Sequence, residues 1–173
     1  MTVISVRKQK DHIELCADSQ LSQWVWWKMT DESNNSIMKD FSKIVQENGV
    51  TLWWTWLVEQ ILFLKHFLKT NIPEGSRISD IENYFLKFYE ERKKKDENFE
   101  PENAYLFIFE GKIFHINCYY IYEVEERDSI GSWMFYARAA LYLWKSAKEA
   151  CEVAKELARW VWWKIEKVKV PLT

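Results

Sequence analysis

The chain opens Met1-Thr2-Val3, and a threonine in second place carries chemistry once the methionine ahead of it is removed. Its hydroxyl becomes a nucleophile, and its own α-amino group, with a reference pKa of roughly 7.7–8.0, can take the hydroxyl proton. Neither histidine nor metal is needed, and methionine before so small a residue is commonly trimmed. Taken alone, however, a threonine here is an ordinary terminal residue. The other reactive types offer no rival site. His12, His66 and His115 fall in separate segments without ligand spacing, so no metal and no cofactor is expected. Cys16, Cys118 and Cys151 lack paired spacing, and an odd number cannot all be bridged internally, so buried free thiols are expected. Alternation turns Cys16 inward on its strand, as a core thiol rather than a nucleophile.

Residues this reactive need elements to hold them, and 173 residues are enough for a multilayer core without disulfides. Residues 1–173 read as one domain. A formal charge of -2 and a pI near 6.0 give no positive field for a nucleic-acid partner. The basic run at 92–95 is balanced by Glu90, Glu91, Asp96 and Glu97, as at a solvated helix end. No apolar stretch reaches the roughly 18 residues of a membrane span and no leader pattern opens the chain, so a cytoplasmic protein without a membrane partner is expected.

Residues 2–8 and 12–18 are β-branched runs around a turn-like "QKD", which predicts a hairpin at the start. Further strands are expected at 41–46 and 50–53 on either side of "ENG". The segment 57–70 repeats apolar residues at Leu57, Ile61, Leu64 and Leu68, one face of a helix. Ser79 with Glu82 suggests a capping box for a second helix carrying Ile81, Phe85 and Phe88. A hairpin around "EGK" follows Pro101, then a polar edge segment runs to Gly131 and Ser132. Helices at about 134–143 and 146–159 come next, the latter with Ser146 and Glu149 as a capping box, and "KIEKVKV" is a last strand. Strands, helices, strands, helices, strand: this order argues for central sheets with paired helices outside.

Several stretches, which together span nearly the whole chain, carry a resemblance. "MTVISVRK", "CADSQ", "FSKIV", "AYLFIFEGKIFHI" and "SIGSWMFYARAALYLWKSAKEACEVAKEL" resemble the proteasome β subunits and the HslV peptidase, members of the N-terminal-nucleophile hydrolases. The resemblance implies an α+β fold, a four-layer αββα sandwich. It implies that Thr2 is the nucleophile, with Asp18 sixteen residues on and Lys43 on the next strand as its ionic neighbours. Lys43 is assigned from the "KIV" context, and Lys39 remains a rival. Ser132 matches the family serine that helps pass the proton, and the backbone N–H of Trp53 falls on the oxyanion-hole loop. Two family residues near the C-terminus, an aspartate and a serine, appear here as Ala158 and Val161.

Tryptophan is in excess and glycine short, 11 against 4, where average usage of about 7% glycine predicts roughly 12. "WVWWK" occurs at 24–28 and 160–164, and "WWTW" at 53–56. On the family pattern these clusters fall on glycines: "WWT" on a Gly-Gly-Thr loop, "GSW" on Gly-Ser-Gly, "VWWKIE" on a Gly-Gly before the last strand. One explanation is UGA codons that the source organism reads as glycine. The other is genuine tryptophans forming a binding surface.

The activity that the resemblance implies is that of an N-terminal threonine endopeptidase, one subunit of a self-compartmentalising protease. Its expected partners are unfolded protein or peptide as substrate, further copies in a ring, and a ring ATPase as unfoldase. The alternatives are a catalytically inactive structural subunit and a Trp-rich binding module.

Overall fold

The computed structural model describes residues 2–18, 43–158 and 164–172. In chain order they form β1 (Ile4–Lys8), β2 (His12–Asp18), β3 (Ile44–Glu47), β4 (Val50–Trp54), α1 (Val58–Leu68), α2 (Ile78–Lys93), β5 (Ala104–Phe109), β6 (Lys112–Asn117), β7 (Tyr120–Val124), β8 (Arg127–Ile130), α3 (Met134–Tyr142), α4 (Ala147–Leu157) and β9 (Ile165–Pro171). The strands make two antiparallel sheets, β8-β1-β2-β9 and β3-β4-β5-β6-β7.

Strand alternation builds the layers. Ile4, Val6, Ile13, Leu15 and Ala17 point from the first sheet into a core shared with Trp53, Leu106, Ile108 and Ile113 of the second. The opposite face of the second sheet, with Leu52, Trp54, Tyr105, Phe107 and Phe114, packs on Ile61, Leu64, Ile81, Phe85 and Phe88 of α1 and α2. The opposite face of the first sheet presents Val3 and Cys16 to Ala137, Ala140, Ala147, Ala150, Cys151 and Ala154. Alanines there let α3 and α4 lie close to the strands. The result is helices, sheet, sheet, helices.

The structure departs from the sequence expectations at several points. The "polar edge segment" is two strands: β7 ends the second sheet and β8 pairs with β1 in the first, so the chain changes sheets between Val124 and Arg127. The start of α2 is closed by Asp80 accepting from the Arg77 N–H at 3.2 Å, not by Ser79 and Glu82. Arg92 is not solvated; its guanidinium lies 3.4 Å from the Phe63 ring centroid. Cys16 and Cys151 are buried free thiols, but Cys118 is half-buried in a turn with φ +55°. Ser146 does cap α4, its hydroxyl accepting from the Glu149 N–H at 3.2 Å. Phe41, Lys39, Arg159, Val161 and the clusters at 24–28 and 160–163 lie outside the described residues.

The expected loop at Trp53 and Trp54 is also corrected. Both belong to β4, and because neighbours alternate faces, Trp53 fills the inter-sheet core and Trp54 the core under α1 and α2. No helix among the described residues is long and apolar enough to cross a membrane.

Candidate active site

Five strand ends meet at one end of the two sheets. β1 begins there at Ile4 and β2 ends at Asp18; β3 starts at Ile44, β8 stops at Ile130 and β9 starts at Ile165. Thr2 precedes β1, Lys43 precedes β3, and Gly131 follows β8, so residues far apart in sequence converge.

Lys43 is the hinge of the arrangement. Its Nζ donates to Thr2 Oγ1 at 3.0 Å and to Asp18 Oδ1. The second Asp18 oxygen accepts the Val3 N–H at 2.6 Å, and the Asp18 N–H returns a bond to the Val3 carbonyl at 3.2 Å. Asp18 therefore holds both the ammonium and the backbone next to Thr2. Lys43 and Asp18 are each 2% exposed. Burial pulls the Lys43 amine below the ordinary lysine range, and the Asp18 carboxylate opposes this. A cation this close to Oγ1 favours the alkoxide form of the hydroxyl and lowers the pKa of a neighbouring amine.

The far side of Thr2 is held by the corner after β8. The Trp133 N–H donates to the Thr2 carbonyl at 3.4 Å. Gly131 has φ +99°, and a Cβ there would stand 2.3 Å from the Thr2 carbonyl oxygen. Only glycine accepts that backbone conformation and that approach without strain. Two residues earlier, Ser129 Oγ donates to the Ile4 carbonyl at 2.6 Å and so ties β8 to β1 beside Thr2.

Of the residues expected in the site, Thr2, Asp18 and Lys43 are brought together. Ser132 stands at the same corner but is exposed, and among the described residues no hydrogen bond joins it to Thr2. The Thr2 carbonyl is approached from this corner by Gly131 and by the Trp133 N–H, residues that sequence reasoning had not placed in the site. Trp53 has register partners on both sides, Ile44 and Leu106. This places Trp53 inside a strand rather than on the loop expected there. His115 is buried and paired with Asp128 at 2.5 Å. Tyr122 and Arg138 also reach Asp128, each at 2.8 Å. This network joins both sheets to α3, away from Thr2.

No protein-family profile matches the chain, and no curated protein matches it in sequence. Among solved structures it is similar to BPH from Thiobacillus denitrificans in complex with epoxomicin, with a TM-score of 0.79 and 15% identity over 99% of each chain. It is also similar to eukaryotic HslV from Trypanosoma brucei, with a TM-score of 0.61 and 18% identity over 96% of this chain and 98% of that one. Anbu, the ancestral beta-subunit, from Yersinia bercovieri gives a TM-score of 0.64 and 14% identity over 98% of this chain and 81% of that one. At such identities the likeness is one of fold. The fold is the four-layer α+β sandwich of the proteasome-like, N-terminal-nucleophile type.

Proposed function

We propose that the chain is an N-terminal threonine peptidase, a single-domain subunit of a proteasome-like protease. The observation that carries this reading is the buried Lys43 bridging the Thr2 hydroxyl and the Asp18 carboxylate within an N-terminal-nucleophile fold. Removal of Met1 frees the Thr2 amine. Oγ1 then attacks a peptide carbonyl while that amine takes the hydroxyl proton and passes it to the departing amine. The acyl group is left as an ester on Oγ1. Water, deprotonated by the same amine, hydrolyses the ester and restores Thr2. Lys43 steadies the charge that develops on Oγ1, and the corner at Gly131 and Trp133 fixes the residue.

The substrates are unfolded proteins or peptides, and the setting is the cytoplasm. Copies associate into a ring served by a ring ATPase. Exposed Phe135, Tyr142, Leu143 and Trp144 on the outer layer support self-association. The test is intact-mass measurement of the purified chain before and after exposure to epoxomicin, the compound bound to the Thiobacillus protein. Loss of Met1 and a single adduct on Thr2 are expected. An unprocessed, unlabelled chain would instead support an inactive structural subunit, a reading favoured by Ala158, a buried methyl where the resemblance implies a carboxylate.

The same mass measurement addresses the tryptophans. Trp56 and Trp144 adopt φ of +80° and +62°, a region that costs a bulky residue about 1–3 kcal/mol. This supports glycine at those two positions. The binding-module reading finds less support, because Trp56 and Trp144 belong to links in opposite helical layers and Trp53 and Trp54 are buried.

A further inference from the structure

Of the four helices described, three turn charge outward: Glu59 and Lys65 on α1, Glu82 and Lys87 on α2, and Lys148 and Glu156 on α4 are exposed. The outward face of α3 carries no charge. Its exposed residues are Phe135, Tyr136, Ala139 and Tyr142, followed by Leu143 at the helix end. Arg138, the one charged residue of this helix, is directed back to the first sheet, with its Nε 2.8 Å from Asp128 Oδ1 and donating to the Ser129 carbonyl at 3.1 Å. A helix that faces water carries polar residues on the side away from the core, so this face is suited to being covered.

The order of sizes along the face indicates what covers it. Residues three and four apart lie side by side on a helix, and here they are symmetric about Ala139: Tyr136 and Tyr142 stand three positions away on either side, Phe135 and Leu143 four. A small residue with large ones on both sides fits a second copy of itself laid across it in the opposite direction. We propose that α3 forms a two-fold contact between two copies of this chain, the helices antiparallel and the two Ala139 methyls at the axis. Phe135 then packs on Leu143 of the partner subunit and Tyr136 on Tyr142 of the partner subunit, and each contact occurs twice. Small side chains at the crossing let the helix axes approach to about 8 Å, the short end of the usual spacing. Phe135, Tyr136, Tyr142 and Leu143 are 70%, 41%, 72% and 75% exposed. With about 150–250 Å² for a whole aromatic side chain, they offer roughly 500 Å² per copy. The pair then buries about 1,000 Å², the size that a specific contact must reach. The inference deepens the self-association proposed above and rests on it. A ring joins unlike faces of successive copies, whereas this face joins like to like.

The test is sedimentation velocity on the full chain as wild type, Ala139→Glu, Ala139→Lys and an equal mixture of the two variants. Residue 139 meets its own counterpart only across a two-fold axis, so each variant alone sets like charges together and the mixture sets opposite ones. The wild type should sediment as an even number of copies, each variant at half the wild-type mass, and the mixture at the wild-type mass again. The position is exposed and both replacements are good helix formers, so the variants are expected to fold, which circular dichroism checks. Variants that keep the wild-type mass overturn the proposal. So does a mixture that stays at half mass, or a wild type that sediments as single copies and leaves the face to lipid or to a different protein. None of these masses depends on activity. A wild type that epoxomicin fails to label removes the peptidase reading, and sedimentation still decides this one.

Discussion

Replacing Gly131 with alanine tests how tightly the nucleophile is held. The new Cβ would lie 2.3 Å from the Thr2 carbonyl oxygen and 2.8 Å from its carbonyl carbon. An ordinary carbon–oxygen contact is about 3.3 Å, so Thr2 must retreat by about 1 Å. A misplacement of about 1 Å costs about 100-fold in rate. The backbone at φ +99° adds strain of about 1–3 kcal/mol for a non-glycine residue, which in a chain of this size lowers the Tm by roughly 2–12 °C. Gly49→Ala is the control. Gly49 also has positive φ, but nothing lies within 4 Å of a Cβ built there, so this variant should lose stability and keep its labelling rate. The assay is the rate of epoxomicin adduct formation by intact mass, with thermal unfolding alongside. A Gly131→Ala chain that labels within about threefold of wild type, well short of the cost of a 1 Å displacement, and that melts like it refutes the clamp.

Two further outcomes are expected. Lys43→Met or Asp18→Asn each strands a buried partner and should cost about 3–5 kcal/mol in urea unfolding, whereas the double variant should cost less than the sum; additive losses would mean that the two do not act as a pair. Asp128, despite burial, is held below its usual 3.8 chiefly by the His115 hydrogen bond, with Arg138 adding to it. A lowered folded-state pKa means that its contribution is present above about 3.8 and is lost as the pH falls through the folded value. Asp128→Asn should therefore be less stable at pH 7 by about 1.5–3 kcal/mol and show a flatter fall in Tm as the pH drops below about 3.8.

The parts of this molecule that obey local rules could be read from its residues. Alternation at Ile4, Val6, Ile13 and Leu15 located the first hairpin, the spacing of Ile61, Leu64 and Leu68 located α1, and Ser146 with Glu149 located the start of α4. Asp18 and Lys43 were found only through a family resemblance, because a single acid and a single base on separate strands leave no periodic signal. The change of sheet between β7 and β8 was not legible, since a polar run reads the same whether it is an edge or a crossover. The strand expected at 50–53 already held Trp53, but the family pattern, with glycines at these positions, set Trp53 and Trp54 on a loop. Their alternate burial in two cores shows instead that β4 continues to Trp54. The Gly131 clamp was hidden for a related reason: a close approach between backbones leaves no trace in side-chain pattern.

The outer rim of the first sheet has its own meaning. Along β9, Lys167, Lys169 and Pro171 alternate on the exposed side, which places two cations and a residue without an N–H along the last row of backbone. Such a rim repels a foreign strand and gives it few bonds to complete. Addition of a further strand along that side is therefore discouraged.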